Sequence, residues 1–209
     1  MKAGVQELLG ALDLRRRSGP PTQFQSWHLL AAFLAFCQTE GPLGRYELGT
    51  TLKLGGGSIR SLVKYLRTRG LIQPVGRRGH ELSERGRRHR DTLQQVLVKL
   101  VPVPESTFTV DRGNVACQLR RCAHRVTDGI RQRDAAMQAG ATGATTLVQG
   151  NDPNFVTMPS AHRIPRAKVA AILEFFDLLE GDVLIIGSGP TEGAARLGAI
   201  AATLTLLAP

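Results

Sequence analysis

The 209-residue sequence is poor in cysteine and in aromatic residues, and it has no long hydrophobic run. Cys37, Cys117 and Cys122 are odd in number and form no CxxC pair, which argues against a disulfide framework or a zinc ribbon and favours a reducing compartment. No stretch approaches the roughly 18 apolar residues that span a membrane. The amphipathic segment 4–17 contains two acids and ends in arginines, unlike a signal peptide. We therefore expect a cytoplasmic protein.

Acidic residues are scarce in the first half of the chain. Residues 1–100 contain 17 Lys and Arg but only 7 Asp and Glu, whereas residues 101–209 contain 10 of each kind. The whole net charge of +10 therefore belongs to the first half. This asymmetry predicts two domains, one over residues 1–100 that meets a polyanion and one over residues 104–209 with another role.

The basic region from Gly55 to Arg90 has the pattern of a folded surface and not of a disordered tail. Ile59, Leu62, Val63 and Leu66 fall at helical spacing and predict a helix that Ser58 caps and Gly70 ends. A short helix over residues 43–52 and a glycine-rich turn precede it. The face opposite the apolar stripe is polar and basic, and consists of Arg60, Ser61, Lys64, Arg67 and Thr68.

A basic hairpin is predicted to follow, in which "LIQPV" and "HELS" flank the sequence "GRRG". A last helix is predicted from Ser83, its cap, to Val101. This order of elements is that of a winged helix-turn-helix, whose helix fits the major groove, where arginine can bind guanine. The predicted DNA contacts are Ser58, Arg60, Ser61, Lys64, Arg67, Arg77 and Arg78. A merely solvated basic face, RNA binding and protein docking are the alternatives, and the arginine-tipped hairpin favours DNA.

The second half predicts an α+β domain in the order β-β-α-β-β-α-β-α, with helices on one face of a mostly antiparallel sheet. Two strands are expected within residues 106–119, and the next pair forms a hairpin over residues 144–159. Helices are expected over residues 124–140, 165–181 and 192–207, with Val126, Ile130 and Met137 on the apolar side of the first. The strand over residues 182–187 is predicted to be buried.

The segment "IIGSGPTEGAAR" is the candidate ligand site of the second half, because a strand passes through glycines into a helix start that can attract anions. The candidate residues are Gly187, Ser188, Gly189, Thr191 and Arg196. A tight strand-to-helix turn explains the same residues without a ligand. The sequence shows neither a metal-ligand cluster nor a catalytic constellation, so we assign no cofactor and expect no enzyme.

Three segments resemble a family of archaeal two-domain proteins with an N-terminal winged helix and a C-terminal domain of uncharacterised role. They are "LGTTLKLGGGSIRSLVKYLRTRGLI", "DGIRQRDAAMQAGATGATTL" and "GDVLIIGSGPTEGAARLGAIAAT". The resemblance implies a transcriptional regulator that binds double-stranded DNA and carries a dimerising domain or one that senses a small-molecule effector. A homodimer is expected, because the helix "AARLGAIAATLTLL" is apolar on more than one side. The rival hypothesis is an enzyme that acts on a nucleotide-like metabolite and carries an attached winged helix.

Overall fold

The computed structural model describes residues 3–14, 22–159 and 162–208 and divides the chain into two compact units, Met1–Leu93 and Gln94–Pro209. Both contain helix and strand, which agrees with the α+β expectation. The helices and strands of the first unit are α1 (Ala3–Leu12), α2 (Ser26–Gln38), α3 (Arg45–Leu52), α4 (Gly56–Thr68), β1 (Ile72–Pro74), β2 (His80–Leu82) and α5 (Glu84–Gln94), whose last residue belongs to the second unit.

Helices α2 and α4 supply much of the core of the first unit. Phe33 of α2 is fully buried, and the predicted apolar stripe of α4 is confirmed, because Ile59, Leu62 and Leu66 are buried. Each such side chain stabilises the fold by about 1.5–3 kcal/mol when it leaves water. The start of α4 differs from the prediction: Gly55 is the N-cap, so that Ser58 lies inside the first turn.

The predicted hairpin is present. Strands β1 and β2 pair antiparallel, with Ile72 opposite Leu82 and Pro74 opposite His80. The loop between them closes through hydrogen bonds from Val75 N to Gly79 O at 2.9 Å and from Arg78 N to Val75 O at 3.1 Å.

The last helix predicted for the first half is too long. Helix α5 ends at Gln94, and the residues that follow form β3 (Leu97–Pro102), the edge strand of the sheet of the second unit. The expected boundary at residue 100 therefore lies inside a strand. Leu93, Val96, Leu97 and Leu100 have helical spacing, but backbone pairing of β3 with β4 decides the conformation beyond Gln94.

The second unit is built on a six-stranded antiparallel sheet with the order β3-β4-β8-β5-β6-β7. Helices α6 and α8 pack against each other and against its central strands. Side chains from the strands and from the α7 region form a buried hydrophobic cluster that includes Leu147, Ile172, Phe176, Leu184 and Ile186. The remaining elements are β4 (Gly113–Leu119), α6 (Ile130–Gln138), β5 (Gly143–Gln149), β6 (Phe155–Thr157), β7 (Arg163–Pro165), α7 (Ala170–Leu173), β8 (Val183–Gly189) and α8 (Glu192–Leu207).

Three elements of the second half differ from the predicted order. Residues 106–119 hold one strand, β4, and not two. The helix predicted over residues 124–140 begins only at Ile130, and its expected apolar side is wrong, because Ile130 and Met137 are 47% and 53% exposed while Gln132 and Ala136 are buried. The helix predicted over residues 165–181 is replaced by β7, a 3-10 turn and the single turn of α7.

Helix α8 is covered within its own unit. No residue from Gly193 to Leu207 is exposed, because strands β4 and β8 and helix α6 surround it. Its apolar sequence therefore reflects intrachain burial, and the surface argument for a second chain at this helix is wrong. In the part of the chain that the structure describes, no helix is long and apolar enough to cross a membrane.

Candidate nucleic-acid interface

The exposed face of α4 is the basic face that the sequence predicts. Arg60, Ser61, Lys64 and Arg67 are all exposed, since the apolar stripe turns the opposite side of the helix inward. Ser58 is the exception. It is buried, and its hydroxyl donates a hydrogen bond to Gln23 Oε1 at 3.0 Å, so its predicted role in DNA contact is wrong.

The hairpin tip brings Arg77 and Arg78 to the surface, where both side chains are exposed. Gly76 and Gly79 bracket them with φ of 54° and 131°, the left-handed backbone region that glycine adopts without steric cost.

These two surfaces line one cleft of about 860 Å³, which we call the basic groove. Five predicted residues meet there: Arg60, Lys64 and Arg67 from α4, and Arg77 and Arg78 from the hairpin. Ser61 does not line it. The lining that the structure describes is Gly44, Arg45, Tyr46, Arg60, Val63, Lys64, Arg67, Pro74, Gly76, Arg77, Arg78, Gly79 and His80, which includes six Lys or Arg and no Asp or Glu. Because the charged side chains that line this concave site are all positive, their electrostatic field is concentrated within it.

Sequence reasoning missed Arg45, Tyr46 and His80. Arg45 and Tyr46 begin α3, and Tyr46 is 89% exposed. They reach the groove because Leu43, just before α3, forms a backbone bridge with His80 of β2. A pairing between residues so distant in sequence leaves no local signal, although a basic and an aromatic residue at the start of a helix are a hint.

The predicted basic residues of the groove differ from the arginines of α5 in what their side chains contact. Among the described residues, the side chains of Arg60, Lys64, Arg67, Arg77 and Arg78 make neither an ion pair nor a hydrogen bond.

The arginine side chains of α5, by contrast, form ion pairs or hydrogen bonds within the protein. Arg85 contacts Glu7 at 2.9 Å, Arg88 contacts Glu84 at 2.6 Å, Arg90 contacts Asp91 at 2.8 Å, and Arg87 donates to the Leu82 carbonyl at 2.8 Å.

Burial is the largest cause that lowers the pKa of His80 from its ordinary value, and the positive charges of Arg67 and Arg45 lower it further. Burial, and after it the same cations that would bind an anion, therefore favour the neutral form of the imidazole in this groove.

The predicted ligand site of the second half is filled by the protein itself. A methyl group on Gly187 would lie 2.4 Å from the Ala195 carbonyl oxygen, so this glycine lets β8 approach α8. Ser188 is buried, and its hydroxyl donates to Asn114 Oδ1 at 2.6 Å. The ligand interpretation of these two residues is wrong, because neighbouring side chains and backbone occupy the space.

The helix end of the same segment is also engaged. Thr191 caps α8 by accepting a hydrogen bond from Ala194 N at 3.3 Å, and Arg196 pairs with Glu192 at 3.4 Å. A methyl group on Gly189 would lie 3.1 Å from Ala194 Cβ, which is close packing against α8. The structure therefore favours the tight strand-to-helix turn. Within residues 3–14, 22–159 and 162–208, no three His, Cys, Asp or Glu side chains are arranged to hold a metal ion.

Comparisons with known proteins match the two units separately. Residues 30–88 match the family model described as PH0730-like, N-terminal domain, and residues 110–206 match the one described as a domain of unknown function, DUF4443. The chain is thus similar to an uncharacterised two-domain class with an archaeal member.

That member is the hypothetical protein PH0730 from Pyrococcus horikoshii OT3. Its solved structure matches with a TM-score of 0.71 and 25% sequence identity, over 88% of this chain and 93% of that chain. A search of the curated proteins found no match.

Proposed function

We propose that this chain is a DNA-binding transcriptional regulator whose first unit is a winged helix-turn-helix. In this proposal α3 and α4 are the helix-turn-helix, α4 is the recognition helix, and the β1–β2 hairpin is the wing. The observation that carries it is a set of five cationic side chains that line the basic groove and have no ion-pair or hydrogen-bond partner among the described residues, while the arginines of α5 have such partners.

The difference between paired and unpaired cations matters for the free energy of polyanion binding. A cation already paired with a carboxylate must give up that contact before it binds a phosphate, whereas an unpaired one releases counterions from DNA without that loss. Helix α4 is about 10–12 Å across with its side chains, which suits the major groove. The arginines at the hairpin tip then extend the contact to neighbouring phosphates or to the minor groove.

The role proposed for the second unit is dimerisation or the sensing of a small molecule. Two recognition helices one DNA turn apart would double the contacts that one winged helix makes. Since α8 is buried in its own unit, a dimer contact has to use another surface. The rival enzyme hypothesis relied on the glycine-rich turns, and at one of them the packing of Gly187 and Ser188 against neighbouring segments favours a structural role.

The test measures binding of the full chain to duplex DNA by fluorescence anisotropy at low salt. The Lys64→Ala, Arg67→Ala double variant removes two charges from the groove. The matched control, Arg88→Ala with Arg90→Ala, removes two charges from α5. The proposal expects at least a tenfold loss for the groove variant and a much smaller loss for the control. Equal losses of affinity in the two double variants would show that net charge alone accounts for DNA binding, and would contradict the proposal.

A further inference from the structure

His80 has a fixed position at the wall of the basic groove. Its backbone N–H donates to the Leu43 carbonyl at 3.1 Å, and its carbonyl accepts from Leu43 N at 2.8 Å. Its other backbone edge faces Pro74 in the β1–β2 pair. The imidazole therefore belongs to a residue whose backbone is paired with Leu43, next to the loop that carries Arg77 and Arg78.

The charged groups that act on His80 are cationic. Arg67 from α4 and Arg45 from the start of α3 are the neighbours whose charge it feels. Arg60, Lys64, Arg77 and Arg78 line the same cleft.

The nearby acids are engaged elsewhere. Glu81, the next residue in β2, accepts a hydrogen bond from Gln73 Nε2 at 2.9 Å. Glu47 of α3 accepts one from Gly44 N at 2.8 Å.

We propose that His80 is a proton-gated contact of this groove: when the phosphate backbone of DNA enters, the imidazole takes up one proton from solvent and binds the backbone as an additional cation. This inference depends on the proposed function, because it needs a polyanion in the groove. It makes DNA affinity depend on pH through one identified residue.

The physical basis is the reversal of the local field. In the free protein, burial is the largest cause that lowers the pKa of His80, and the charges of Arg67 and Arg45 oppose its protonation further. Phosphates that pair with these guanidiniums cancel that repulsion and add negative charge beside the ring, which favours the imidazolium. Proton binding and DNA binding then strengthen each other by the same factor, because linkage is reciprocal. One histidine sets a limit of one proton, that is, at most about a tenfold change in Kd per pH unit.

The experiment measures Kd for one duplex DNA between pH 5.5 and 8.0 at constant ionic strength, with the full chain and its His80→Gln variant. His124→Gln is the control, because His124 is an exposed histidine of the second unit. A third variant, His80→Lys, carries a charge that does not titrate in this range. Fluorescence of the single tryptophan, Trp27 in α2, verifies that each variant is folded at each pH.

From pH 8.0 to pH 5.5, wild type and His124→Gln should gain about three- to tenfold more affinity than His80→Gln. Wild type and His80→Gln should converge at pH 8.0, where His80→Lys should bind more tightly than both. Equal pH dependence of wild type and His80→Gln overturns the role of His80 while DNA binding stands. Wild type that binds no DNA at any pH overturns the proposed function itself.

Discussion

Leu43 and His80 exchange two backbone hydrogen bonds, of 2.8 Å and 3.1 Å, and so attach the hairpin to the segment that begins α3. Gly79 makes this approach feasible. A methyl group there would lie 2.4 Å from the Leu43 carbonyl oxygen, and its φ of 131° disfavours any other residue. The hairpin is thus held against the start of α3 at the loop end of its two strands.

We expect Gly79→Ala to destabilise the first unit by about 1–3 kcal/mol, because it combines backbone strain with a steric clash. Urea unfolding followed by Trp27 fluorescence measures the change in the free energy of unfolding. Gly76→Ala is the control in the same loop: its φ is also positive, at 54°, but a methyl group there meets nothing within 4 Å. A cost for Gly79→Ala no larger than that of the control would contradict the proposed clash.

Arg60→Ala should relax sequence preference at one or two base positions and cost about 1–3 kcal/mol on the preferred site, if α4 lies in the major groove. Non-specific binding should change less. The measurement selects preferred duplexes from a random library and then determines Kd for the best and for single-base variants. Arg88→Ala, which removes one paired charge from α5, should keep the wild-type preference. The same preference in Arg60→Ala would show that this side chain reads no base.

Arg77→Ala combined with Arg78→Ala should reduce the magnitude of the slope of log Kd against log salt concentration by about 2, if both guanidiniums contact phosphates. The loss should be similar on most sequences, because phosphates carry no sequence information. Stability should hardly change, since both side chains are exposed at the hairpin tip. The salt titration should be repeated with Arg88→Ala and Arg90→Ala, and an identical slope in both double variants would rule out a direct contact by the hairpin.

Asp182 anchors a buried polar cluster in the second unit. Its side chain is fully buried and accepts hydrogen bonds from Arg120 Nη1 at 2.6 Å, Gln118 Nε2 at 2.9 Å and the backbone N–H groups of Leu179 and Arg121. Removal of one partner of such a pair leaves the others unsatisfied.

Asp182→Ala should therefore destabilise the second unit by about 3–5 kcal/mol. Thermal unfolding by circular dichroism and hydrogen exchange of β4 and β8 report on this unit, while the unfolding transition of Trp27 in the first unit serves as an internal reference. Asp134→Ala removes an exposed pair with Arg133 and should cost less than about 1 kcal/mol. Similar losses for the two variants would mean that burial of Asp182 adds nothing to stability.

The first unit should lose stability in mild acid. His28, His80 and His89 all have pKa values below the ordinary value near 6.5, and burial is the largest cause in each. The unfolded chain therefore binds protons first, so stability is complete above about pH 6.5 and is lost as the pH falls through that value towards the folded pKa values. Urea unfolding followed by Trp27 fluorescence at pH 7.5 and 5.5 measures this loss. His89→Gln should reduce it, whereas His124→Gln should not, and a flat profile in wild type would refute the assignment.

The sequence by itself determined the local features of the basic groove. The stripe of Ile59, Leu62 and Leu66 fixes which side of α4 faces the core, because a 3.6-residue period leaves Arg60, Lys64 and Arg67 on the other side. "GRRG" between two short strands likewise predicts the exposed hairpin tip. These predictions succeed because they depend on residues that are neighbours in the chain.

Only the tertiary structure decided which of these residues act together. The pairing of Leu43 with His80 brings the start of α3 to the groove, and pairing with β4 turns "LVKLV" from a predicted helix into strand β3. The sequence of helix α8 is apolar on more than one side because the sheet and α6 both cover the helix within the same unit. Contacts between segments that are distant in the sequence compete with local conformational propensity. The sequence of one segment does not show which distant segment will pair with it, so it does not predict which of the two effects decides its conformation.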